Sequence, residues 1–199
     1  MRIADLITLI RIFLGILFVS LVLIDKNFFN VISIIITIFI IIFLDALDGS
    51  ASKKFDKPSK YGAFFDITGD RIIEILLIVP PSILGILNPI FLIYYVSKDF
   101  LVDYVRFVQY DMTKNVPYAQ SKNKINKFLI SSRLMRILYG GVCKLSFYFL
   151  AYLSLYIPRL SIYANIVGYI TIFVSLLRTL PVFIDFYELS RNLKRIKRE

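Results

Sequence analysis

Asp45 and Asp48 stand three residues apart, and Asp66 and Asp70 four apart, each pair in or at the end of an otherwise apolar stretch. On a helix those spacings put both members of a pair on one face, about one turn apart. An acid carried into hydrocarbon costs about 2.5–3.5 kcal/mol or more, so carboxylates there are candidates for function. Four carboxylates at one depth repel unless cations sit between them. Oxygen-only donors select Mg, Mn or Ca, and two such ions bridged by shared carboxylates make a site for displacement at phosphorus. The chain has no His, so carboxylates are its only acid/base groups well suited to neutral pH. Its one cysteine, Cys143, cannot form an internal disulfide or a zinc cage, and among apolar neighbours it reads as an inert thiol. Taken singly, either acidic pair reads as readily as helix caps and interfacial charges, with Asp48-Gly49 a turn. Both pairs together, with Gly49 and Gly62 at set offsets, need another explanation.

The elements that must position these acids follow from composition. Of 199 residues, 58% are hydrophobic, above the roughly 45–50% of soluble domains. Lys and Arg number 24 against 14 Asp and Glu. In a polar chain that balance would point to nucleic acid; here it reads as membrane topology, and no nucleic-acid partner is expected. A membrane span needs roughly 20 apolar residues, and six stretches approach that: 7–24, 29–46, 61–84, 90–108, 128–157 and 160–187. They are continuous rather than alternating, which excludes a β-barrel. Asp25 to Asn27 join the first two into a helical hairpin, and the first is expected to be a retained helix rather than a cleaved signal. Gly85, Asn88-Pro89 and Pro158 mark breaks between later spans. The expected fold is thus an all-α integral membrane protein of six transmembrane helices in a single domain over 1–199. Six spans leave both termini on one side. Arg2, the lysine-rich loops holding Lys53 to Lys60 and Lys114 to Lys127, and the basic tail after Arg191 share that side, whereas the opposite turns offer Lys26 and Arg159. The positive-inside rule makes the shared side cytoplasmic. The same lysines suit anionic lipid.

Read from Asp45, the chain runs Asp45-Ala-Leu-Asp48-Gly49-Ser-Ala-Ser52-Lys53, eight residues, Gly62, three residues, Asp66, three residues, Asp70. This resembles the D-x2-D-G-x2-A-R-x8-G-x3-D-x3-D signature of the CDP-alcohol phosphatidyltransferase family, with every spacing held over 26 residues. Ser52 stands for the usual alanine and Lys53 for the usual arginine; lysine keeps the charge and loses the bidentate fork. The resemblance implies a CDP-linked lipid donor and a small polar alcohol acceptor whose hydroxyl displaces CMP. It implies a two-metal site of Mg2+ or Mn2+ held by Asp45, Asp48 and Asp66, with Asp70 a shared ligand and the candidate general base. It assigns the nucleotide side to Gly49, Ser52, Lys53 and Gly62, with Ser59 where many members also carry serine. The lipid tails stay in the bilayer.

Arg71, Lys98, Arg106, Arg133 and Arg136 lie within or at the ends of spans, where a cation needs a partner or a wet cavity. A phosphate-bearing acceptor would supply one; so would neighbours such as Glu74, Asp99 or Asp103, or snorkelling to the surface. Asp5, Thr8 and Arg11 resemble the N-x2-T-x2-R opening of the glycerophosphate-using branch, and Ser97-Lys98-Asp99 with Arg106 resembles its S-R-E…R stretch; the resemblance implies that Thr8, Arg11, Lys98 and Arg106 bind ligand, with Arg133 and Arg136 as further candidates. Asp70-Arg71 looks more like inositol-phosphate-using relatives. The acceptor expected is glycerol 3-phosphate, with inositol phosphate second. Tyr94, Tyr95 and Tyr104 are read as packing rather than as a headgroup pocket. Gly140 and Gly141 are read as permitting close helix packing, within one chain or in a homodimer. A reading of another class, a cation transporter or channel using the acidic cluster, places acids near the midplane on a path open to both sides; here they lie towards one end, among lysines. A non-catalytic scaffold gives no reason for the spacing.

Overall fold

The computed structural model describes residues 3–25, 28–55, 60–113, 126, 128–129 and 132–196, with the helical backbone alone at 3–4, 45–55, 60–61, 63, 133, 136 and 192–196. Its helices are α1 (Ile3–Ile24), α2 (Val31–Phe55), α3 (Lys60–Ile83), α4 (Ile90–Thr113), α5 (Arg133–Arg136), a π-helical stretch (Ile137–Lys144), α6 (Leu145–Leu153) and α7 (Leu160–Ile196). No strand occurs among the described residues. Among the described residues two helices are long and apolar enough to cross a membrane, over Asp5–Ile24 and Leu160–Arg191, and Val31–Leu44 and Ile137–Leu153 form shorter apolar helical stretches.

Local chemistry sets the helix ends. Asn30 caps α2, its side-chain oxygen accepting from Ser33 N at 2.8 Å, which satisfies an otherwise orphaned amide. At the end of α3, Gly85 takes φ +72°, and Ile86 N donates to Pro81 O while Gly85 N donates to Ser82 O. That is a Schellman stop, and it needs a residue tolerant of the left-handed region. Asn88 then starts α4 by accepting from Ile90 N at 3.0 Å. The breaks expected at Gly85 and Asn88-Pro89 are therefore present.

The fifth stretch departs from expectation. In place of one helix over 128–157, Ser132 is non-helical, and α5 runs into a π-helical stretch and then α6, which ends at Leu153. Gly140 and Gly141 sit inside the widened turns, where each glycine already costs an α-helix about 1 kcal/mol relative to alanine, so little is lost by leaving α geometry. The expected packing at these glycines within the chain is not found. A Cβ on Gly140 would meet nothing within 4 Å, and one on Gly141 only Ile137 of the same turn, among the described residues.

The chain divides into two compact units, Met1–Tyr95 with Tyr148–Asn165, and Val96–Phe147 with Ile166–Glu199. In the first, α1 packs against both α2 and α3. Ile34, Ile38 and Ile41, at i, i+4 and i+7, form the buried face of α2, joined in the core by Phe18, Leu77, Phe91, Tyr95 and Tyr152. Phe18 meets the rings of Phe29 and Tyr152 at 5.2 Å each. The uncovered faces are apolar too: Phe13, Ile36 and Phe39 are 65%, 52% and 56% exposed. A helix apolar all round is one that a protein core or a membrane must cover. Asn165 of α7 holds the α3–α4 turn, accepting from Asn88 N and donating to Ile86 O, both at 3.0 Å.

In the second unit, Val102, Val105 and Gln109 of α4, Tyr139 of the π-helical stretch, and Thr171, Ser175 and Val182 of α7 are buried. Gln109 Nε2 donates to Val182 O at 3.4 Å, and Asn126 Nδ2 to Asp185 Oδ1 at 2.8 Å.

Candidate active site

α3 carries Gly62, Asp66 and Asp70 at i, i+4 and i+8, a stripe along one helical face. Gly62 is buried, Asp66 exposed and Asp70 intermediate. The helix thus delivers two carboxylates to one side, as the spacing predicts.

The first unit seats Asp70 from α1. Arg11 Nη2 donates to Asp70 Oδ1 at 2.6 Å, and the two side chains are 2% and 44% exposed. Thr8, one turn earlier on α1, is buried to 1%. Between them lies Gly69: a Cβ built there would clash with Thr8 Cγ2, well inside carbon–carbon contact distance, and lie 3.6 Å from Arg11 Nη2 and 3.7 Å from Ile12 Cδ1. The resemblance assigned Thr8 and Arg11 to ligand binding; both are here packed into the α1–α3 contact, with Arg11 reaching the acid. Sequence reasoning missed Gly69. The signal available was a glycine in a helix interior beside a site acid, a position that needs a packing or functional reason.

α2 stays helical through Gly49 to Phe55, so the alternative of a turn at Asp48-Gly49 is removed. The side chains of Asp45, Asp48, Ser52 and Lys53 lie outside the described residues, as does Ser59. Among the described residues no group of three or more potential metal-ligating side chains occurs. The donor chemistry of the stripe nonetheless suits a hard divalent cation: Asp66 and Asp70 offer only oxygens, and Asp70 has one oxygen taken by Arg11 while the side chain keeps access to solvent.

The cations expected near the acceptor are paired with carboxylates where their side chains are described. Arg71 Nη1 meets Glu74 Oε2 at 2.9 Å, Lys98 Nζ meets Asp99 Oδ1 at 2.8 Å, and Arg106 Nη1 meets Asp103 Oδ1 at 3.5 Å. Arg133 and Arg136 have their backbone in α5 and their side chains outside the described residues. Tyr95 is core, in edge contact with Tyr94 at 5.4 Å, whereas Tyr104 is 65% exposed and so packs no core.

The second unit gathers more cations than the spacing suggested. Lys98, Lys144 and Arg178 all face the buried ring of Tyr139, at 5.9, 4.7 and 4.9 Å from its centre. Tyr139 accepts from Lys98 Nζ at 3.4 Å and donates to Ser175 Oγ at 3.2 Å. Lys144 and Arg178 were not singled out from sequence; each is one cation in an apolar run, and only the fold brings them to one ring.

Compared with known proteins, residues 1–177 match the family model for CDP-alcohol phosphatidyltransferase. No curated protein and no solved structure matches the chain.

Proposed function

The chain belongs to the CDP-alcohol phosphatidyltransferase family, and on that footing we propose a metal-dependent enzyme of phospholipid synthesis that moves a phosphatidyl-type group to sn-glycerol 3-phosphate. Membership makes it a transferase of substituted phosphate groups, acting between a CDP-alcohol and an alcohol. The observation that carries the finer reading is the Asp66–Asp70 stripe on α3, with one oxygen of Asp70 tied to Arg11 and the side chain still 44% exposed.

In the proposed reaction the acceptor hydroxyl oxygen bonds to the phosphorus that bears the lipid, and the P–O bond to CMP breaks with its electron pair leaving on CMP. The hydroxyl proton passes to Asp70, a carboxylate within reach of solvent and of a polar acceptor. Asp45, Asp48, Asp66 and Asp70 are the residues that would hold the divalent cation the family uses, either Mg2+ or Mn2+ and two ions rather than one. Bound there, such ions supply charge neutralisation of a diphosphate. Gly49, Ser52, Lys53, Ser59 and Gly62 form the nucleotide side, and Lys53 meets phosphate as a point charge.

The resemblance of Thr8 with Arg11, and of Lys98 with Arg106, to the glycerophosphate-using branch favours an acceptor that carries its own phosphate. Inositol phosphate is the second choice on the same chemistry. The six apolar stretches act as one catalytic domain in the cell membrane with both termini and the acids towards the cytoplasm. The lysine distribution supports that orientation, and the exposed apolar faces of α1 and α2 support burial in lipid.

The test is CMP release by purified full-length protein from ester- and ether-linked CDP-lipids, with Mg2+ or Mn2+, across glycerol 3-phosphate, inositol phosphate, inositol, serine and no acceptor. Release that requires both metal and glycerol 3-phosphate supports the reading. Release with another acceptor replaces the acceptor, and silence from folded protein with every pair overturns the function.

A further inference from the structure

We propose that Arg11 is the positioning residue of Asp70, and that residue 69 is glycine because α1 must lie close enough on α3 for that guanidinium to reach. The inference rests on the reading of Asp70 as the group that takes the acceptor proton. A carboxylate on a helix can turn about two side-chain torsions. Arg11, 2% exposed, has little freedom of its own, and at 2.6 Å it holds Oδ1 of an Asp70 side chain that is itself 44% exposed. A planar, always-charged donor buried at a helix contact is well suited to fixing a carboxylate's orientation.

Distance between the helices decides whether the reach succeeds. The space that a side chain at 69 would fill is occupied by Thr8 Cγ2, with Arg11 Nη2 3.6 Å away. Thr8 is β-branched, restricted at χ1 and 1% exposed, so its methyl group has little room to give. Gly15, a second glycine on this contact, differs: its added Cβ would approach Ile73 Cδ1 at 2.7 Å, the far end of a longer side chain. Substitution at 69 is therefore expected to press α1 and α3 apart more than substitution at 15.

The experiment compares Gly69→Ala, Gly69→Ala with Thr8→Ser, Arg11→Gln, Arg11→Lys and Asp70→Asn in the full chain, in detergent, with whichever CDP-lipid and acceptor support CMP release. Read together are kcat, both KM values, CDP-lipid binding in the absence of acceptor, and the melting temperature. Gly69→Ala and Arg11→Gln are expected to lower kcat by roughly 10–100-fold, a loss within the range a mispositioned general base accounts for, with both KM values and CDP-lipid binding within about twofold. Thr8→Ser, which removes the obstructing methyl group, should recover most of the kcat lost in Gly69→Ala, and Arg11→Lys should fall between wild type and Arg11→Gln. Unchanged kcat in folded Gly69→Ala or Arg11→Gln, or no recovery by Thr8→Ser, overturns the inference. If Gly69→Ala does not fold, the Arg11 pair decides alone. Failure of the underlying reading looks different: Asp70→Asn would then keep full kcat, whereas failure of the inference alone leaves Asp70→Asn inactive beside active Arg11 variants.

Discussion

Arg11 and Asp70 form an ion pair of unequal partners, joined at 2.6 Å with the arginine 2% and the aspartate 44% exposed. The acid faces outward from a cation that cannot. Asp70→Ala removes a charged hydrogen bond from a buried guanidinium, worth about 1.5–3 kcal/mol, whereas Asp70→Asn keeps an acceptor oxygen there. The expected order of melting temperature in detergent is wild type, then Asp70→Asn, then Asp70→Ala. Activity should vanish in both variants, so stability and catalysis separate.

The α1–α3 contact can be read without activity. Thr8 and Gly69 face each other closely enough for a disulfide, whose Cβ atoms sit roughly 3.5–4.5 Å apart. Because Cys143 is the chain's one cysteine, a Cys143→Ala background carrying Thr8→Cys and Gly69→Cys should oxidise to a single intrachain crosslink. It would appear as a reducible shift in gel mobility, and its absence after mild oxidation would refute this register.

Tyr139 separates ring from hydroxyl. Tyr139→Phe loses the hydrogen bonds to Lys98 and Ser175 but keeps a face for Lys144 and Arg178, at 4.7 and 4.9 Å. Tyr139→Leu loses both. With each cation–π contact worth about 0.5–2 kcal/mol, Tyr139→Leu should unfold at clearly lower temperature than Tyr139→Phe. Equal melting points would show that the ring holds no cation.

Asn165 makes three hydrogen bonds, one to Asn88 N, one to Ile86 O and one to Ser161 O. Asn165→Leu leaves the first two groups of the α3–α4 turn without it, at roughly 1–3 kcal/mol. Hydrogen exchange should quicken at Asn88 and its neighbours while the middle of α1 stays protected.

Chelation tests the metal. With EDTA, CMP release should stop, and added Mg2+ or Mn2+ should restore it. Asp66→Ala should raise the metal concentration needed for half-maximal rate by at least about tenfold, the scale of losing one ligand. Full activity in EDTA-treated protein would remove the metal from the mechanism.

Much of this protein is written in local pattern. Four acids at offsets of three and four, with Gly49 and Gly62 between, named a family over 26 residues, because metal and phosphate chemistry demands particular side chains at particular helical spacings. Apolar run length marked where α1 to α4 and α7 lie, though not the π-helical break within 128–157, and Gly85 and Asn88-Pro89 set the α3–α4 turn, since caps and left-handed stops depend on a few adjacent residues. Tertiary structure alone decided the rest. Arg11 and Asp70 lie 59 residues apart, and no helical period relates two different helices. Lys98, Lys144 and Arg178 meet only at Tyr139, which a π-helical stretch turns inward, and one-residue changes in helical phase are invisible to a 3.6-residue pattern. Gly69 could be seen as unusual in sequence; that it makes room for Thr8 follows only from the distance between α1 and α3, which packing sets.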